Sequence, residues 1–313
     1  MKTPIGYYGG KQRLIPEILP LLPPHEQYVE CFCGGAAVFF AKQPAENECI
    51  NDYDERLTNY YWQMKTNFTE LQTLIRATLH SEVHYDKAEL ILEDKTQTPI
   101  MRAWAYWVRT QMAFSYILGG GFAFGQGKQW KRNSANKRER FTELYEKRME
   151  RCEIFNRDAV DLIEMKDGEG TFFYCDPPYV SSDQGGYKGY TKEHFVKLLD
   201  TLSKIKGRFL LSSYPEPELL EYREKFGWNT KDIKQIVSVT GNKGEVKYKT
   251  ECLTWNYPAP NQQAGLFDEE ISDKEEGEQP EIHAEEEGEP VEVVAQKNEP
   301  IFTEEELNEG KEL

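Results

Sequence analysis

Asp176, Pro177, Pro178 and Tyr179 place an acid, two rigid residues and an aromatic ring at four consecutive positions. Both prolines fix φ near about −65°, so the backbone carbonyls of this turn hold set directions. The Asp176 carboxylate and the Pro177 carbonyl can each accept one hydrogen from an exocyclic amine, while Tyr179 stacks on its ring. Stacking contributes about 1–3 kcal/mol, and a hydrogen bond to a charged group about 1.5–3 kcal/mol. The set favours a planar amine as substrate; a Pro-Pro turn beside a surface acid is the alternative.

The residues before this turn predict a buried strand. Thr171–Cys175 is rich in β-prone residues and stops abruptly at the acid and the two prolines. In an open α/β sheet, ligands bind outside the carboxyl ends of the strands. The chemistry of the turn is therefore expected at the carboxyl edge of an α/β sheet.

An earlier part of the chain has the order strand, glycine turn, helix, strand and acid. Residues 27–32 predict a strand, residues 33–37 a tight turn and residues 38–42 a short helix. A second strand runs into Asp52, 18 residues after Gly34. This order is typical of the nucleoside-binding half of a doubly wound sheet, with the acid on the ribose hydroxyls. The candidate cofactor residues in this segment are Glu30, Phe32, Gly34, Gly35 and Asp52.

The same segment lacks two signals of other nucleotide-binding proteins. It contains neither a Gly-x-Gly-x-x-Gly fingerprint nor the lysine of a phosphate-binding loop. A nucleoside ligand without a phosphate cradle favours S-adenosylmethionine over NAD or ATP. The glycine-rich turn at residues 5–11 adds Tyr7 and Lys11, because glycines let a backbone approach a ligand and the lysine can reach a carboxylate or phosphate. A plain turn is an equally good interpretation of residues 5–11 alone.

Two stretches, residues 55–79 and 100–118, have apolar and aromatic residues at helical spacing and predict packed core helices. The segment that follows is different. Residues 119–132 are rich in glycine and aromatic residues, and residues 128–140 hold six basic residues against one acid. Such a loop suits contact with the phosphates and grooves of a nucleic-acid duplex, and the alternative is a solvated basic loop. The candidate DNA-binding residues are Lys128, Lys131, Arg132, Lys137, Arg138 and Arg140, and a helix is expected from about 137 to 150.

The second half of the chain predicts the rest of the sheet. The expected elements are a strand at 153–158, a helix at 194–205, a strand at 208–213, and an antiparallel hairpin of 233–239 with 251–257 around the turn at 241–244. Asp158, at the end of the first of these strands, suits the edge of an adenine ring. A glycine-rich connection at 185–189 could close over a substrate. The expected fold class is a Rossmann-like α/β mixed sheet.

The charge is distributed unevenly along the chain. The net charge of −16 would disfavour a nucleic-acid partner if it were spread uniformly. Residues 261–313 hold 19 acidic residues and three lysines, so the rest of the chain holds 35 residues of each sign and is neutral. The acidic segment is rich in Glu, Gly, Gln and Pro, and is predicted to be disordered.

Other features bound the class of protein. No apolar run reaches the roughly 18 residues of a membrane span, and the first residues do not resemble a signal peptide, which favours a cytoplasmic protein without membrane contact. The six cysteines lie mostly in apolar, strand-like stretches with few histidines nearby. This pattern favours reduced, buried thiols over a zinc site, and no metal is expected.

The acidic segment opens with Gln263-Ala264-Gly265-Leu266-Phe267, which resembles the short peptide that docks bacterial proteins on the sliding clamp. Leu266 and Phe267 would fill an apolar pocket and Gln263 would form a hydrogen bond beside it. A five-residue match also arises by chance. The acidic run that follows is expected to repel DNA and aid turnover, or only to increase solubility.

Taken in order, these motifs resemble those of the Dam-like (D12 class) DNA adenine-specific methyltransferases. The similarity covers roughly residues 4–257 and rests on the matches at 6–11, 29–36, 51–52, 158 and 176–179. The resemblance implies methyl transfer from S-adenosylmethionine to the N6 amine of adenine in duplex DNA, by base flipping and direct in-line transfer. The residues it implies are Tyr7, Lys11, Asp52, Asp158 and Asp176 around the cofactor, and Asp176, Pro177, Pro178 and Tyr179 on the flipped base.

Two positions depart from the family pattern. Cys31 stands where proline is frequent, and Ala36 stands where a third glycine is common, so the Ala36 methyl group is expected to crowd the cofactor. The helical insert resembles the family only loosely, and it carries no expectation about the DNA sequence recognised.

The resemblance also implies a division into domains. Residues 1–56 and 152–258 are expected to form the catalytic domain, residues 57–151 a helical target-recognition insert, and residues 259–313 an acidic tail. Methylation of cytosine N4 in DNA stays open at this point. So do a methyltransferase acting on RNA or a protein amide, and a catalytically silent DNA-binding module.

Overall fold

A computed structural model of the chain describes residues 1–124, 135–180, 189–237 and 247–258. The strands in these ranges are β1 (Gln27–Glu30), β2 (Asn47–Asn51), β3 (Cys152–Phe155), β4 (Thr171–Cys175), β5 (Arg208–Ser213), β6 (Asn229–Val237) and β7 (Lys247–Trp255). Within the described residues they form one seven-stranded sheet in the order β3-β2-β1-β4-β5-β7-β6.

The sheet is mixed, as the sequence predicts. Strands β1 to β5 are parallel, while β7 is antiparallel to both β5 and β6. In the centre, Glu30 of β1 pairs with Ile50 of β2 on one side and with Tyr174 of β4 on the other. The strand order changes direction between β1 and β4. At such a switch point an open α/β sheet leaves a crevice for ligands outside the carboxyl ends of the strands.

Strand β4 is buried along its whole length. Phe172 and Tyr174 belong to a hydrophobic cluster on one face of the sheet, and Phe173 and Cys175 belong to a second cluster on the other face. A parallel strand with both faces covered is typically a continuous apolar run, which is the pattern that the sequence shows. Burial of each large side chain contributes about 1.5–3 kcal/mol, so the turn that follows β4 starts from a firmly held strand.

Helices lie between and around the strands. Those within the described ranges are α1 (Ile15–Ile18), α2 (Ala37–Ala41), α3 (Glu55–Thr66), α4 (Phe68–Ala77), α5 (Glu82–Glu93), α6 (Pro99–Gln111), α7 (Ala135–Glu139), α8 (Leu144–Arg148), α9 (Ala159–Lys166), α10 (Lys192–Leu202) and α11 (Pro217–Phe226). The short helix expected after the glycine turn, the helix expected near 194–205 and the strand expected at 208–213 are confirmed by α2, α10 and β5.

Two expected helices are each divided in the structure. The stretch 55–79 forms α3 and α4, because Asn67 between them leaves the helical conformation with φ −131° and ψ 40°. The helix expected at 137–150 forms α7 and α8 instead. Phe141 lies between these two helices, where its ring stacks on Phe68 at 5.1 Å and its carbonyl accepts from Gln72 at 2.8 Å. These tertiary contacts override the local helical pattern.

Three further helices, α5, α9 and α11, were not expected from the sequence. Only Tyr85, Ala88 and Leu92 of α5 are buried, which is a narrow apolar stripe on an otherwise polar helix. A narrow stripe gives a weak periodic signal. Helix α9 follows Asp158 directly, and α11 begins at Pro217, the helical position that tolerates proline best.

The helices between β2 and β3 share a core with the sheet. Tyr60 of α3, Leu71 of α4, Tyr85 of α5 and Trp107 of α6 belong to the same hydrophobic cluster as Phe172 of β4. The described part of residues 57–151 therefore packs onto one face of the sheet. The boundaries at 56 and 152, and the assignment of this region to target recognition, stay predictions.

The hairpin expected near the end of the sheet is confirmed by β6 and β7, which pair from Asn229 with Trp255 to Val237 with Lys247. The turn of this hairpin lies outside the described residues. The same is true of residues 185–188 of the glycine-rich connection and of the acidic segment 259–313. Among the helices that the structure describes, none has the length and apolar character needed to cross a membrane.

Candidate active site

The carboxyl edge of the sheet brings the two predicted halves of the site together. Asp176 to Tyr179 follow β4, the small-residue turn at 33–36 follows β1, and Asp52 follows β2. Because β1 pairs in parallel with both β2 and β4, these segments leave the sheet on the same side. The sequence-predicted acceptor and cofactor residues therefore meet at one edge.

Lys11 forms an ion pair with Asp176. Its Nζ lies 2.6 Å from Asp176 Oδ1, donates to the Gly9 carbonyl at 3.1 Å, and stands 4.9 Å from the centre of the Tyr179 ring. The Tyr179 hydroxyl lies 3.2 Å from Asp176 Oδ1, and its single proton is shared between this oxygen and Glu251 of β7. The carboxylate partner that the sequence leaves open for Lys11 is thus the acid of the Asp-Pro-Pro-Tyr turn.

Burial governs the charges in this group. It raises the pKa of Asp176 to about 6, assisted by repulsion from Glu251 and opposed by Lys11 and Tyr179. Burial pulls the pKa of Lys11 down, but attraction to Asp176 and Glu251 outweighs it, and the pKa of Lys11 is raised. At neutral pH both members of the pair are ionised, and Asp176 is an acceptor only.

Glu251 of β7 is a member of the site that the sequence did not single out. It is 2% exposed, accepts from Ser212 Oγ at 2.7 Å and from the Tyr179 hydroxyl, and lies 3.5 Å from Lys11 Nζ. A lone acid opening the apolar run Cys252-Leu253 is a signal that could have found it, because an unpaired buried acid is costly and needs a partner.

A shallow, open crevice lies beside the turn. Tyr214, which follows β5, forms part of its wall, and its ring centre lies 4.3 Å from that of Tyr179. Tyr214 was not singled out in the sequence either. The residues lining the crevice are Pro177, Pro178, Tyr179, Val180, Phe195, Ser213, Tyr214 and Glu216.

Asp52 braces the glycine turn after β1. Its Oδ2 accepts from the backbone of Gly34 at 3.0 Å and its Oδ1 from the backbone of Asp54 at 3.0 Å. Burial raises the pKa of Asp52 to about 6, with these backbone donors opposing the rise. The expected role of Asp52 on the ribose hydroxyls of a nucleoside stays a prediction.

The ring of Tyr7 lies on the same turn. A Cβ atom at Gly34 would come within 2.6 Å of the Tyr7 ring, and one at Gly35 within 3.0 Å of Tyr7 Cβ. Gly34 also has φ +46°, a conformation that favours glycine. Tyr7, Gly34 and Gly35 therefore form one closely packed unit.

Asp158 and Asn51 connect the neighbouring strand ends. Asp158 caps α9 by accepting from the backbone of Val160 at 2.9 Å. The buried Asn51 side chain donates to the carbonyls of Cys31 at 2.9 Å and Arg157 at 3.1 Å, and accepts from the Arg157 backbone at 2.9 Å. Asn51 thereby fixes the ends of β1, β2 and β3 relative to one another.

Glu30 and Phe32 occupy different environments. The Glu30 side chain is buried, and its Oε2 accepts from the Tyr28 hydroxyl at 2.6 Å and from the Phe39 backbone at 2.8 Å. Burial raises the pKa of Glu30 to about 8. Phe32 is half-buried and packs edge-on against Tyr190 at 6.1 Å.

The candidate DNA-binding residues are only partly within the described chain. Lys128, Lys131 and Arg132 lie outside it. Lys137 donates to the Gln111 carbonyl at 2.6 Å, and Arg138 donates to the Thr78 carbonyl, so both already bind groups of the protein. Burial lowers the pKa of Lys137 to about 8. Arg140 is exposed.

The cysteines are unpaired, five of them buried and Cys152 half-buried. Across the described ranges, no group of three or more His, Cys, Asp or Glu side chains could hold a metal ion. The partner motif at Gln263, Leu266 and Phe267 lies outside the described residues.

The chain is similar to known proteins over most of its length. Residues 7–244 match a family model described as D12 class N6 adenine-specific DNA methyltransferase. The type II methyltransferase M1.LlaDCHI of Lactococcus lactis subsp. cremoris is 28% identical over 276 residues, which cover 80% of this chain and 93% of that protein. The DNA N-6-adenine-methyltransferase of Escherichia phage P1 is 25% identical over 252 residues; the match covers 75% of this chain and 33% of the phage protein. A solved rRNA methylase from Streptococcus thermophilus aligns with a TM-score of 0.29 and 12% identity over 78% of this chain and 93% of that one.

Proposed function

The chain belongs to the D12 class of N6 adenine-specific DNA methyltransferases, and from this premise we propose that Asp176, Pro177, Pro178 and Tyr179 bind the adenine that accepts the methyl group. The enzyme methylates the N6 amine of adenine in DNA, with S-adenosylmethionine as the methyl donor. The observation that carries the acceptor assignment is the Asp176 carboxylate, placed on a rigid turn at the end of β4 beside the Tyr179 ring.

In the proposed complex, the adenine amine donates one hydrogen to Asp176 and the other to the carbonyl of Pro177. Both acceptors are fixed before the base arrives, since Asp176 follows a buried strand and the prolines restrict the backbone. The two hydrogen bonds direct the nitrogen lone pair towards the donor side of the site for direct in-line transfer. Orientation of two reactants can supply up to about 7–11 kcal/mol of the barrier.

The other half of the edge has the groups that a methylated sulfonium nucleoside requires. Gly34 has no side chain that would stand between a ligand and the backbone. The carboxylates of Asp52 and Asp158 can accept further hydrogen bonds in addition to those from the backbone described above. S-adenosylmethionine supplies an electrophilic methyl group when bound. The residues proposed to hold or frame it are Tyr7, Lys11, Glu30, Phe32, Gly34, Gly35, Asp52, Asp158 and Asp176.

The proposed substrate form is duplex DNA with a specific recognition sequence. An adenine amine inside a duplex cannot reach Asp176, so the nucleotide must be flipped out at a cost of a few kcal/mol. Residues 57–151 are proposed to recognise the DNA, with phosphate contacts from Lys128, Lys131, Arg132, Lys137, Arg138 and Arg140. To contact phosphates, Lys137 and Arg138 must give up their present hydrogen bonds to backbone carbonyls of the protein. We place the enzyme in the cytoplasm, where bacterial or phage DNA is found.

Transfer of labelled methyl from S-adenosylmethionine to unmethylated duplex DNA, followed by nucleoside digestion, tests the acceptor site. Wild-type enzyme is expected to place the label in N6-methyl-2′-deoxyadenosine, and Asp176→Ala to lose transfer while calorimetry still detects cofactor binding. Glu224→Gln, on the exposed surface of α11, is the matched control with unchanged transfer. Label in methyl-2′-deoxycytidine would contradict the base assignment, and full transfer by Asp176→Ala would contradict the acceptor site.

The segment at Gln263, Leu266 and Phe267 is proposed to bind the bacterial sliding clamp. Only the sequence supports this partner, through an apolar pair that would enter a pocket on the clamp with Gln263 beside it. Immobilised clamp should retain the wild-type chain and lose the Leu266→Ala/Phe267→Ala double variant. Failure of the wild-type chain to bind would end the proposal. Methyl transfer to short duplexes should be equal in both proteins.

A further inference from the structure

Lys11 lies between the half-buried carboxylate of Asp176 and the buried carboxylate of Glu251. Its Nζ is 2.6 Å from Asp176 and 3.5 Å from Glu251, and the exposed fractions of the three side chains are 8%, 18% and 2%. Glu251 also binds the Tyr179 hydroxyl and accepts from Ser212 Oγ at 2.7 Å. Glu251 of β7 is therefore connected to Tyr179 of the proposed acceptor site, 72 residues away in the sequence, and to Lys11, the ion-pair partner of Asp176.

The present contacts compete with the incoming amine at one oxygen of Asp176, Oδ1. Lys11 donates to Oδ1 of Asp176, the carboxylate that the acceptor amine needs, and the Tyr179 hydroxyl lies 3.2 Å from the same oxygen. A carboxylate oxygen can accept more than one hydrogen bond. An ammonium ion already bound to Oδ1 nevertheless hinders an incoming amine from donating to the same oxygen with good geometry. If Lys11 moves away from Asp176, its buried charge requires another anion nearby, because an unpaired buried charge costs several kcal/mol.

We propose that Glu251 is a positioning residue, which takes over the Lys11 ammonium when the adenine amine binds Asp176 and which holds the Tyr179 ring through its hydroxyl. The inference rests on the function proposed above. A shift of Lys11 Nζ by less than about 1 Å would convert the 3.5 Å separation from Glu251 into a hydrogen bond of ordinary length. Lysine suits this exchange, since its ammonium is a point charge on a flexible stem.

The surroundings of Glu251 keep it in place for this role. It lies on β7, where Cys252 pairs with Ser213 and Leu253 pairs with Ser212 of β5. The Ser212 hydroxyl fixes the Glu251 carboxylate, and the Glu251 side chain has almost no access to water. A fixed anion at this position offers the lysine a second site without movement of the backbone.

Glu251→Gln provides the direct test, because the amide keeps the size of the side chain and an acceptor for Tyr179 but loses the charge. We expect kcat for methyl transfer to fall by about 10- to 100-fold, the range that corresponds to loss of one charged hydrogen-bond partner. The Kd for S-adenosylmethionine, measured by calorimetry, and the KM for DNA should change less than about threefold.

The pH profile of kcat distinguishes positioning from a general loss of structure. The charged and titratable groups around Asp176 are Lys11, Glu251, Tyr179, Glu30 and Tyr174. Repulsion from Glu251 contributes to the raised pKa of Asp176, so Glu251→Gln should move the acid limb of the profile to lower pH. A change that only loosened the fold would lower kcat without this shift.

Two further variants complete the test. Glu251→Asp keeps the charge but withdraws it by one methylene, and it should retain more activity than Glu251→Gln. If the Glu251→Gln variant does not fold, the Glu251→Asp variant should still show a reduced kcat. In a Tyr179→Phe background, Glu251→Gln should lower kcat by a smaller factor than in the wild type, because the hydroxyl contact is already absent.

Wild-type kcat and pH profile in both Glu251 variants would overturn this inference alone. Absence of label in adenine with the wild-type enzyme would instead overturn the proposed function.

Discussion

At the scale of single residues, burial sets the charge state of the acids around the site. Asp176 and Asp52 have pKa values raised to about 6, and Glu30 has one raised to about 8. At neutral pH the first two are therefore ionised, whereas Glu30 is protonated. The two acids that are proposed to accept hydrogen bonds from ligands are thus charged, and the one that anchors α2 through the Phe39 backbone is not.

Glu30 should make stability depend on pH. Its folded-state pKa of about 8 lies above the ordinary 4.5, so its contribution is complete below about pH 4.5 and is lost as the pH rises from there through about 8. In this window the free energy of unfolding of the wild type should fall by up to about 1.4 kcal/mol per pH unit, and Glu30→Gln should not show this fall. Denaturant unfolding of both proteins at pH 5, 7 and 9 measures the free energies. Parallel pH curves for wild type and variant would show that Glu30 does not titrate in this way.

At the scale of elements, the turn after β1 depends on unusual backbone conformations. Gly34 has φ +46°, and Ala36, which precedes α2, has φ 52° and ψ 44°. A left-handed conformation costs an ordinary L-residue roughly 1–2 kcal/mol. The resemblance to the family led to the expectation that the Ala36 methyl group crowds the cofactor. The structure adds a backbone reason for glycine at this position, since glycine adopts the conformation without strain.

Asp158 has a structural role that can be separated from its proposed role at the cofactor. Asp158→Ala should lower the free energy of unfolding by about 1 kcal/mol, because α9 loses its N-cap. Asp158→Asn keeps a capping oxygen and should stay within a few tenths of a kcal/mol of wild type. Chemical denaturation gives the stabilities, and calorimetry gives the Kd for S-adenosylmethionine. Unchanged cofactor affinity in both variants would remove Asp158 from the cofactor site.

At the scale of the whole molecule, the sequence predicts the parts of the site whose signals are local. The Thr171–Cys175 strand with its Asp-Pro-Pro-Tyr turn, and the strand, glycine turn and Asp52, are each contained in a short segment. For Glu251 the local signal indicates only a buried acid that needs a partner; the partners themselves, Lys11 and Tyr179, become its neighbours only when β7 pairs with β5. The division of the 137–150 helix was missed for the same reason, because it depends on the contact of Phe141 with Phe68.

A buried ion cluster connects the helical region to the sheet. Glu48 of β2 lies 2.5 Å from Lys42 Nζ and accepts from Arg148 of α8 at 2.9 Å. Glu48→Gln should lower the free energy of unfolding by about 3–5 kcal/mol, because it leaves two buried cations without their anion. Glu218→Gln removes the partner of the exposed Lys192 and should have a much smaller effect, since water solvates the lysine that remains. Equal losses in the two variants, measured by thermal or denaturant unfolding, would contradict the difference expected from burial.

The position of β7 has a consequence for synthesis of the protein. In the sheet β7 lies between β5 and β6, although the ribosome makes it after both. Until β7 emerges, β6 has no strand to pair with among the described strands, and Lys11 and Tyr179 lack Glu251. A growing chain therefore cannot complete the proposed acceptor site, with Lys11 and Tyr179 on the carboxylate that they share, before β7 has been made.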